Sequence, residues 1–297
     1  MKSSGFALPN VRLKFFIPPP DLTPYISTFY FTEVPEGKTV EDWMHPEWAN
    51  LRVGKSAVYE AGSGDDTPRP IDRIILSGAT SKAMRFRIGG GRFWGVGLLP
   101  RGFAKFVGVS ARDWADRFDT IEGEPGFAHL VELLAPLAET KGDLEGDVAY
   151  LTEGFRAFLS RPVRNEEAIA DVHAALVEHK DHSTASLAEA AGMSVRTLER
   201  FCDKVFGFTP SLLLQRQRFL RSLAVFMTDP EASWNESLDD QYYDQAHFIR
   251  EFRRFMTMTP SQYAALDHPI LAAAVHARTE AAGDAMQVLQ NPKARES

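Results

Sequence analysis

The sequence predicts an α+β chain in two domains, β-rich with trailing helices at the N-terminal side and all-α at the C-terminal side. Three observations predict it. Residues 1–125 hold short runs of β-branched and aromatic residues between Gly and Pro turns, the pattern of a sandwich or barrel. From Phe103 the apolar spacing turns helical. Between Ser186 and Tyr263 one helical pattern is written twice, fifty positions apart. The predicted divisions are 1–160, 163–266 and an Ala-rich, partly disordered tail at 267–297, with Arg161 to Arg164 as linker.

In the first part, Phe15-Phe16-Ile17 is extended and stops at Pro18-Pro19-Pro20. Leu22–Phe31, Leu51–Val53, Ser56–Tyr59, Ile71–Ser77, Met84–Ile88 and Phe93–Leu98 follow as strands, with Gly78 and Gly89-Gly90-Gly91 as punctuation. Phe103–Val109 is a short helix, and Ser110 caps a second. Phe127–Thr140 is amphipathic, and Pro136 bends or ends it. Asp143–Ser160 carries Val148, Leu151, Phe155, Phe158 and Leu159 on one face, for packing within the domain or for a dimer. Asn165 caps a helix to Lys180.

The repeat begins with Ser186 to Ser194, a short helix, a turn at Gly192 and a capping Ser. Leu198 to Ser211 then aligns without a gap on Phe248 to Ser261, placing Arg200 on Arg250 and Lys204 on Arg254. Leu198, Cys202, Phe248 and Phe252 read as core, with cations on the other side. Thr209-Pro210 and Thr259-Pro260 each open a further helix. A short helix, a tight turn and a cationic second helix form the helix-turn-helix signature. Leu212–Met227 joins the units over about 24 Å, with Arg216, Arg218 and Arg221 solvated or facing phosphate.

Val163 to Leu266 resembles the DNA-binding domain of the AraC/XylS transcription regulators, most closely over Tyr242 to Phe252 and Met258 to Tyr263. Two positions depart from that pattern: Gln241 and Thr257 stand where the family usually has Gly, and neither suits a positive φ. Phe93 to Phe103 is similar to a segment of the cupin-like barrel that serves such regulators as sensor domain. The resemblance implies a cytoplasmic transcription regulator that binds double-stranded DNA. RNA polymerase, a second copy and an unknown small-molecule effector are its open partners. It implies base reading by Arg196, Thr197 and Arg200 in the first unit, and by Gln245, His247 and Arg250 in the second. Lys204 and Arg254 would meet phosphate, and Asp244 would cap its helix.

The charge argues the other way. The chain carries −7, and Ser183 to Leu266 holds nine Lys and Arg against ten Asp and Glu. A basic footprint is the rule for DNA-binding domains. Acids such as Asp229, Glu231, Glu236, Asp239 and Asp240 gather between the units, leaving the cations of the recognition helices clear. Two rivals remain, a cupin-type enzyme and an interaction adaptor that has lost DNA binding. The enzyme would need a metal held by His-x-His, a carboxylate and a further His, and the sequence has no His-x-His. His45 stands alone as a loop or packing residue, Gly89-Gly90-Gly91 lacks the Lys of a phosphate loop, and no cofactor is expected. One cysteine rules out an internal disulfide framework. No signal peptide or apolar run of membrane-spanning length is seen.

Overall fold

The structure, a computed structural model, describes residues 2–56, 58–178, 183–228, 239 and 242–293. Its nine strands run in chain order: β1 Ser3–Leu8, β2 Val11–Phe16, β3 Ile26–Met44, β4 Asn50–Ser56, β5 Tyr59–Ser63, β6 Arg69–Pro70, β7 Ile74–Ser77, β8 Met84–Leu98 and β9 Phe118–Thr120. All pairings are antiparallel, in the order β1-β2-β3-β8-β4-β7-β9, with β5 and β6 off this path. β1 and β9 end that order and are not paired with each other, so the sheet is open where the barrel expectation had it closed.

β3 and β8 carry the sheet. They pair from Ile26↔Leu98 to Met44↔Met84, with a register shift between Val34 and Thr39 around Gly37, whose φ is +74. β8 pairs with β4 along Gly91–Gly97 and with β5 along Met84–Ile88. Gly89-Gly90-Gly91 therefore lies inside one strand and does not end it. The three glycines sit where β8 passes from one partner to the next. A Cβ at Gly91 would stand 2.2 Å from the Lys55 carbonyl oxygen, so only glycine allows that close approach.

Ten helices follow, counted among the described residues: α1 Pro100–Gly102, α2 Ala128–Leu134, α3 Leu144–Ala157, α4 Glu166–Glu178, α5 Thr184–Ala190, α6 Val195–Phe206, α7 Pro210–Thr228, α8 Gln245–Met256, α9 Pro260–Ala264 and α10 Leu271–Ala282. Phe103–Val107 continues α1 as a π-helical turn, and Ala111–Trp114 is a 3-10 turn that Ser110 does not cap with its side chain. Pro136 acts as expected, since α2 stops at Leu134 and passes into a 3-10 turn at Ala135–Glu139. In α3, Val148, Leu151 and Phe155 are buried in one core with Phe29, Phe31 and Trp94. The apolar face that a dimer helix would need is thus spent on the sheet. Asn165 turns the chain into α4 at φ +57; Lys180, at the expected end of that helix, lies outside the described residues.

The tail, expected to be partly disordered, holds one helix, α10, packed on β1, β2 and β3. Leu271, Ala273 and Ala277 share a core with Val11, Leu13 and Phe15. The small alanines let the helix lie close on the sheet. Asp42, 1% exposed in β3, accepts the N–H groups of Ile270 (2.9 Å) and Leu271 (2.8 Å) with one carboxylate oxygen. These are orphan donors of the helix start, satisfied across 228 residues of sequence. Beyond α10, Gln287 donates to Ser27 Oγ (3.2 Å) and the Leu98 carbonyl (3.2 Å). Residues 294–297 lie outside the described residues.

Asp42→Ala should therefore loosen α10 first. The expected loss is about 2 kcal/mol of unfolding free energy, the scale of charged hydrogen bonds removed from buried donors, with new protease cleavage near residues 268–285. Urea unfolding with unchanged stability and no new cleavage would show that this cap does not hold the helix.

Candidate nucleic-acid interface

The first helix-turn-helix is α5 and α6. Ser183 caps α5 through the Ser186 N–H, Gly192 makes the turn at φ +62, and Ser194 caps α6 through the Thr197 N–H at 3.2 Å. Leu198, Cys202 and Phe206 point inward at 0–1% exposure. Arg196, Thr197, Arg200 and Lys204 are exposed. Thr197 also shares a hydroxyl–hydroxyl hydrogen bond with Ser194 (2.8 Å), so its side chain belongs partly to the cap. No ion pair or hydrogen bond engages the guanidinium groups of Arg196 or Arg200 among the described residues.

The second unit centres on α8. Asp244 caps it, accepting from the His247 N–H at 2.6 Å. Phe248, Phe252 and Phe255 are buried, while Gln245, Arg250, Arg253 and Arg254 are exposed. Thr257 closes the helix at φ +59, ψ +9, the left-handed conformation that favours glycine. Thr259 and Gln262 then form a capping box for α9. Gln241 and the acids Asp229, Glu231, Glu236 and Asp240 lie outside the described residues.

Among the proposed base readers, His247 is placed differently from the rest. Its Nε2 lies 3.4 Å from Arg218 Nη2 and 3.5 Å from Glu251 Oε1, and its ring meets Tyr242 edge-on at 5.4 Å. Arg218 also donates Nε to Glu251 at 3.3 Å and pairs with it through Nη2; Tyr242 donates its hydroxyl to the same carboxylate at 2.8 Å. Arg218 and Glu251 are about nine-tenths buried. This cluster bolts α7 to α8. Burial, and then the Glu251 charge, raise the Tyr242 pKa, keeping its hydroxyl a donor. Arg254 is also tied to α7, donating to Gln215 Oε1 at 2.6 Å.

The three arginines of α7 were expected in solvent or on phosphate. Arg216 is instead 0% exposed and Arg218 9% exposed, while Arg221 pairs with Asp239 at 2.8 Å. Arg216 donates to the carbonyls of Thr80 (2.9 Å) and Glu47 (3.3 Å), and its guanidinium lies over the Trp48 ring at 3.9 Å. All three partners belong to the sheet domain. Further bonds join the two parts. The Ala83 N–H donates to the Phe255 carbonyl (2.7 Å), and His45 Nε2 and the Tyr263 hydroxyl share a hydrogen bond of 2.6 Å. Burial brings the His45 pKa down to about 4. Glu166, at the start of α4, accepts from Tyr25 (2.7 Å), Lys105 (2.7 Å) and Arg101 (3.0 Å).

Two exposed residues escaped the sequence reading. Tyr243, 93% exposed, precedes the cap of α8, and Val195, 41% exposed, opens α6. The caps are the usable signal, because Val195 follows Ser194 and Tyr243 precedes Asp244.

Residues 187–265 match the family model described as a helix-turn-helix domain. The region is an AraC-type helix-turn-helix domain. Among curated proteins none matches the chain. Solved structures give distant likenesses. An apo form of a ToxT point variant from Vibrio cholerae is 11% identical, with 79% of this chain and 96% of that one covered at a TM-score of 0.42. Wild-type ToxT from the same organism with an unsaturated fatty acid bound is 12% identical, with 77% and 95% covered at 0.36. The AraC-like transcriptional activator CuxR is 12% identical, with 72% and 81% covered at 0.31. The assignment of the AraC-type domain rests on the family match and on the capped helices α5, α6 and α8.

A second site lies in the sheet domain. A cavity of about 190 Å³ sits between the sheet and α10. Phe15, Met84, Phe86, Ile88, Phe93 and Leu271 form much of its apolar wall. Tyr30, Glu47, Asn50 and Arg52 are among its polar residues from β3, β4 and the turn between them. Burial raises the Glu47 pKa against the pull of Arg52, and pushes the Tyr59 hydroxyl up to about 12.

Thr257 and Glu251 give opposite tests of α8. Thr257→Gly should stabilise the protein by about 1 kcal/mol, the cost of a left-handed non-glycine residue. Glu251→Ala leaves Arg218 buried without its carboxylate and should cost about 3–5 kcal/mol. Chemical denaturation of both variants decides; a destabilised Thr257→Gly would mean that the threonine side chain outweighs its backbone strain.

Proposed function

We propose that this chain is a sequence-specific, DNA-binding transcription regulator whose activity responds to a small molecule held in the sheet-domain cavity. The observation that carries the DNA reading is the pairing of two capped helices, α6 and α8, each with exposed side chains in its first turns. Such turns are where a helix in the major groove meets base edges. Arg196, Arg200 and Arg250 would pair with guanine and Gln245 with adenine, since those side chains match the donor and acceptor pattern of those bases. Thr197 would make a shorter contact beside its cap. His247 would reach a base only with its outer edge, its Nε2 being engaged by Arg218 and Glu251. Lys204 and Arg254 would contact phosphate, with Tyr243 added as a sugar or phosphate contact.

α7 has 19 residues, about 28 Å of helix at 1.5 Å per residue. With the bodies of the two units added, its length suits neighbouring major-groove segments about 34 Å apart. Because acids match the cations across the domain, phosphate attraction adds little, and recognition relies on the bases. The small-molecule reading is supported by the cavity and by the contacts that join its wall to α7.

Selection of bound duplexes from a random pool tests the whole reading, and retention of no sequence would defeat it. On the selected site, Arg200→Ala should lose about 1–3 kcal/mol of discrimination at one base position. Lys204→Ala should weaken all sequences alike and lower the salt slope by about one. The reverse pattern in binding titrations would exchange their roles.

A further inference from the structure

An open groove of about 720 Å³ lies where the sheet domain, the linker and the first helix-turn-helix unit meet. Its floor is apolar. Phe103 and Val109 come from the segment after α1, Val163 from the linker, Ile169 from α4, and Phe201 and Val205 from α6. Val109 is 38% exposed, and Val163, Phe201 and Val205 are half-buried. Apolar side chains left open to water in one concave patch, edged by polar residues, are the mark of a docking surface.

Three cations also line this groove: Arg161, Arg164 and Lys204. No carboxylate is among the lining residues, and none pairs with these three among the described residues. Arg161 lies over the Phe158 ring at 4.4 Å, which orients its guanidinium without neutralising it. Glu166 and Asp203, next in sequence to Asn165 and Lys204, are spent elsewhere. Glu166 accepts from Lys105 (2.7 Å), Tyr25 (2.7 Å) and Arg101 (3.0 Å), and Asp203 accepts from Arg112 (2.9 Å). Lys204, offered above to phosphate, is one cation of three. Arg161 and Arg164 keep the groove cationic when DNA takes it.

The walls are fixed in advance. Lys105 Nζ donates to the carbonyls of Leu159 (3.4 Å) and Arg161 (2.8 Å), which holds the linker against the sheet domain. Ser110 Oγ donates to the Lys204 carbonyl at 3.5 Å, and the Arg112–Asp203 pair ties α6 to the same segment. A groove held on both sides needs little ordering of this chain when a partner enters.

We propose that this groove docks a short peptide segment of another protein, one that carries both apolar and acidic side chains. Its apolar side chains cover Phe103, Val163, Phe201 and Val205, and its carboxylates meet Arg161, Arg164 and Lys204. Charge complementarity selects this occupant. A DNA backbone would use the cations and leave the apolar floor wet. A neutral apolar segment would cover the floor and leave the cations unmatched. A small molecule would stay half in water, because Gly108, Val109, Pro162, Arg164 and Lys204 are exposed around it. The proposal goes beyond the DNA reading and does not depend on it.

The test offers the immobilised full chain, without DNA, a phage-displayed library of random dodecapeptides. Recovered sequences should be enriched in acidic and large apolar residues together. The best of them, synthesised with a fluorescent label, should bind the wild type in a titration and weaken as salt is raised. Arg164→Glu and Val109→Asp should each lower that affinity at least tenfold, since each sets an anion against the peptide's acids. Both side chains are exposed, so neither change removes a buried contact; Arg164→Ala, with a smaller loss expected, stands in for any variant that fails to unfold like the wild type. Neither variant should change the affinity for duplex DNA more than twofold, because neither residue lies on a recognition helix. No enrichment, enrichment of sequences without acids, or peptide binding that all three variants retain would overturn the proposal. A tenfold loss of DNA affinity in Arg164→Glu with peptide binding intact would also overturn it and assign the cations to phosphate. Failure of DNA selection would count against the regulator reading and leave the peptide result standing.

Discussion

The fold turns on a buried guanidinium. Arg216 sits in the middle of α7 with no exposure, stacked on Trp48, its Nη1 shared between two carbonyls of the sheet domain. No carboxylate pairs with it among the described residues; burial lowers its pKa to about 9, with Asp116 pulling weakly the other way. Removing such a charge from water is costly, and stacking and backbone dipoles recover only part of it. That cost makes the position of α7 specific. The guanidinium is tolerated only where Thr80, Glu47 and Trp48 meet, so the helix between the two recognition units is registered against the sheet. Trp48, Ala79, Ala83 and Leu99 share one core with α4 to α9, which extends the same registration across the whole boundary. The same core thus touches both helix-turn-helix units.

The acidic balance of the helical domain has a local answer. The cations divide into two groups with different work. Arg216, Arg218 and Arg221 are consumed in holding α7, whereas Arg196, Arg200 and Arg250 remain exposed on the recognition helices. Net charge therefore describes the field around this domain poorly. A formal count includes arginines that no phosphate can reach, so the surface facing DNA depends on fewer cations than the sequence total suggests.

Much of this was legible in the sequence, because caps and apolar spacing are local. Ser194, Asp244 and Thr259 cap the helices they precede, and Leu198, Cys202, Phe248 and Phe252 are buried as their spacing required. Thr257 does adopt the left-handed conformation that its place in the repeat demanded. What escaped depends on distant partners. A long arginine on a helix looks alike whether it meets water or Trp48, and nothing near Arg216 names a partner 169 residues away. Gly89-Gly90-Gly91 reads as a break, yet β8 runs through it because Lys55 and Glu36 press against it from neighbouring strands. Nothing in the sequence near His247 shows that Arg218, from a different helix, stands beside its ring. The Ala-rich tail lacks a strong amphipathic pattern of its own, and its order comes from Asp42 and the face of the sheet.

That last feature bears on how the chain is made. α10 covers the sheet face formed by β1 and β2, although the whole helix-turn-helix region lies between them in the sequence. During synthesis the strands emerge first, and the apolar face of Val11, Leu13 and Phe15 stays uncovered until residues 271–282 have left the ribosome. The helical domain must then fold as an insertion whose two ends are both fastened to the sheet domain, by Glu166 on Tyr25 at one side and by Asp42 of β3 at the other. A nascent chain of this kind holds an open hydrophobic surface through most of its translation, which makes it a natural client for chaperones.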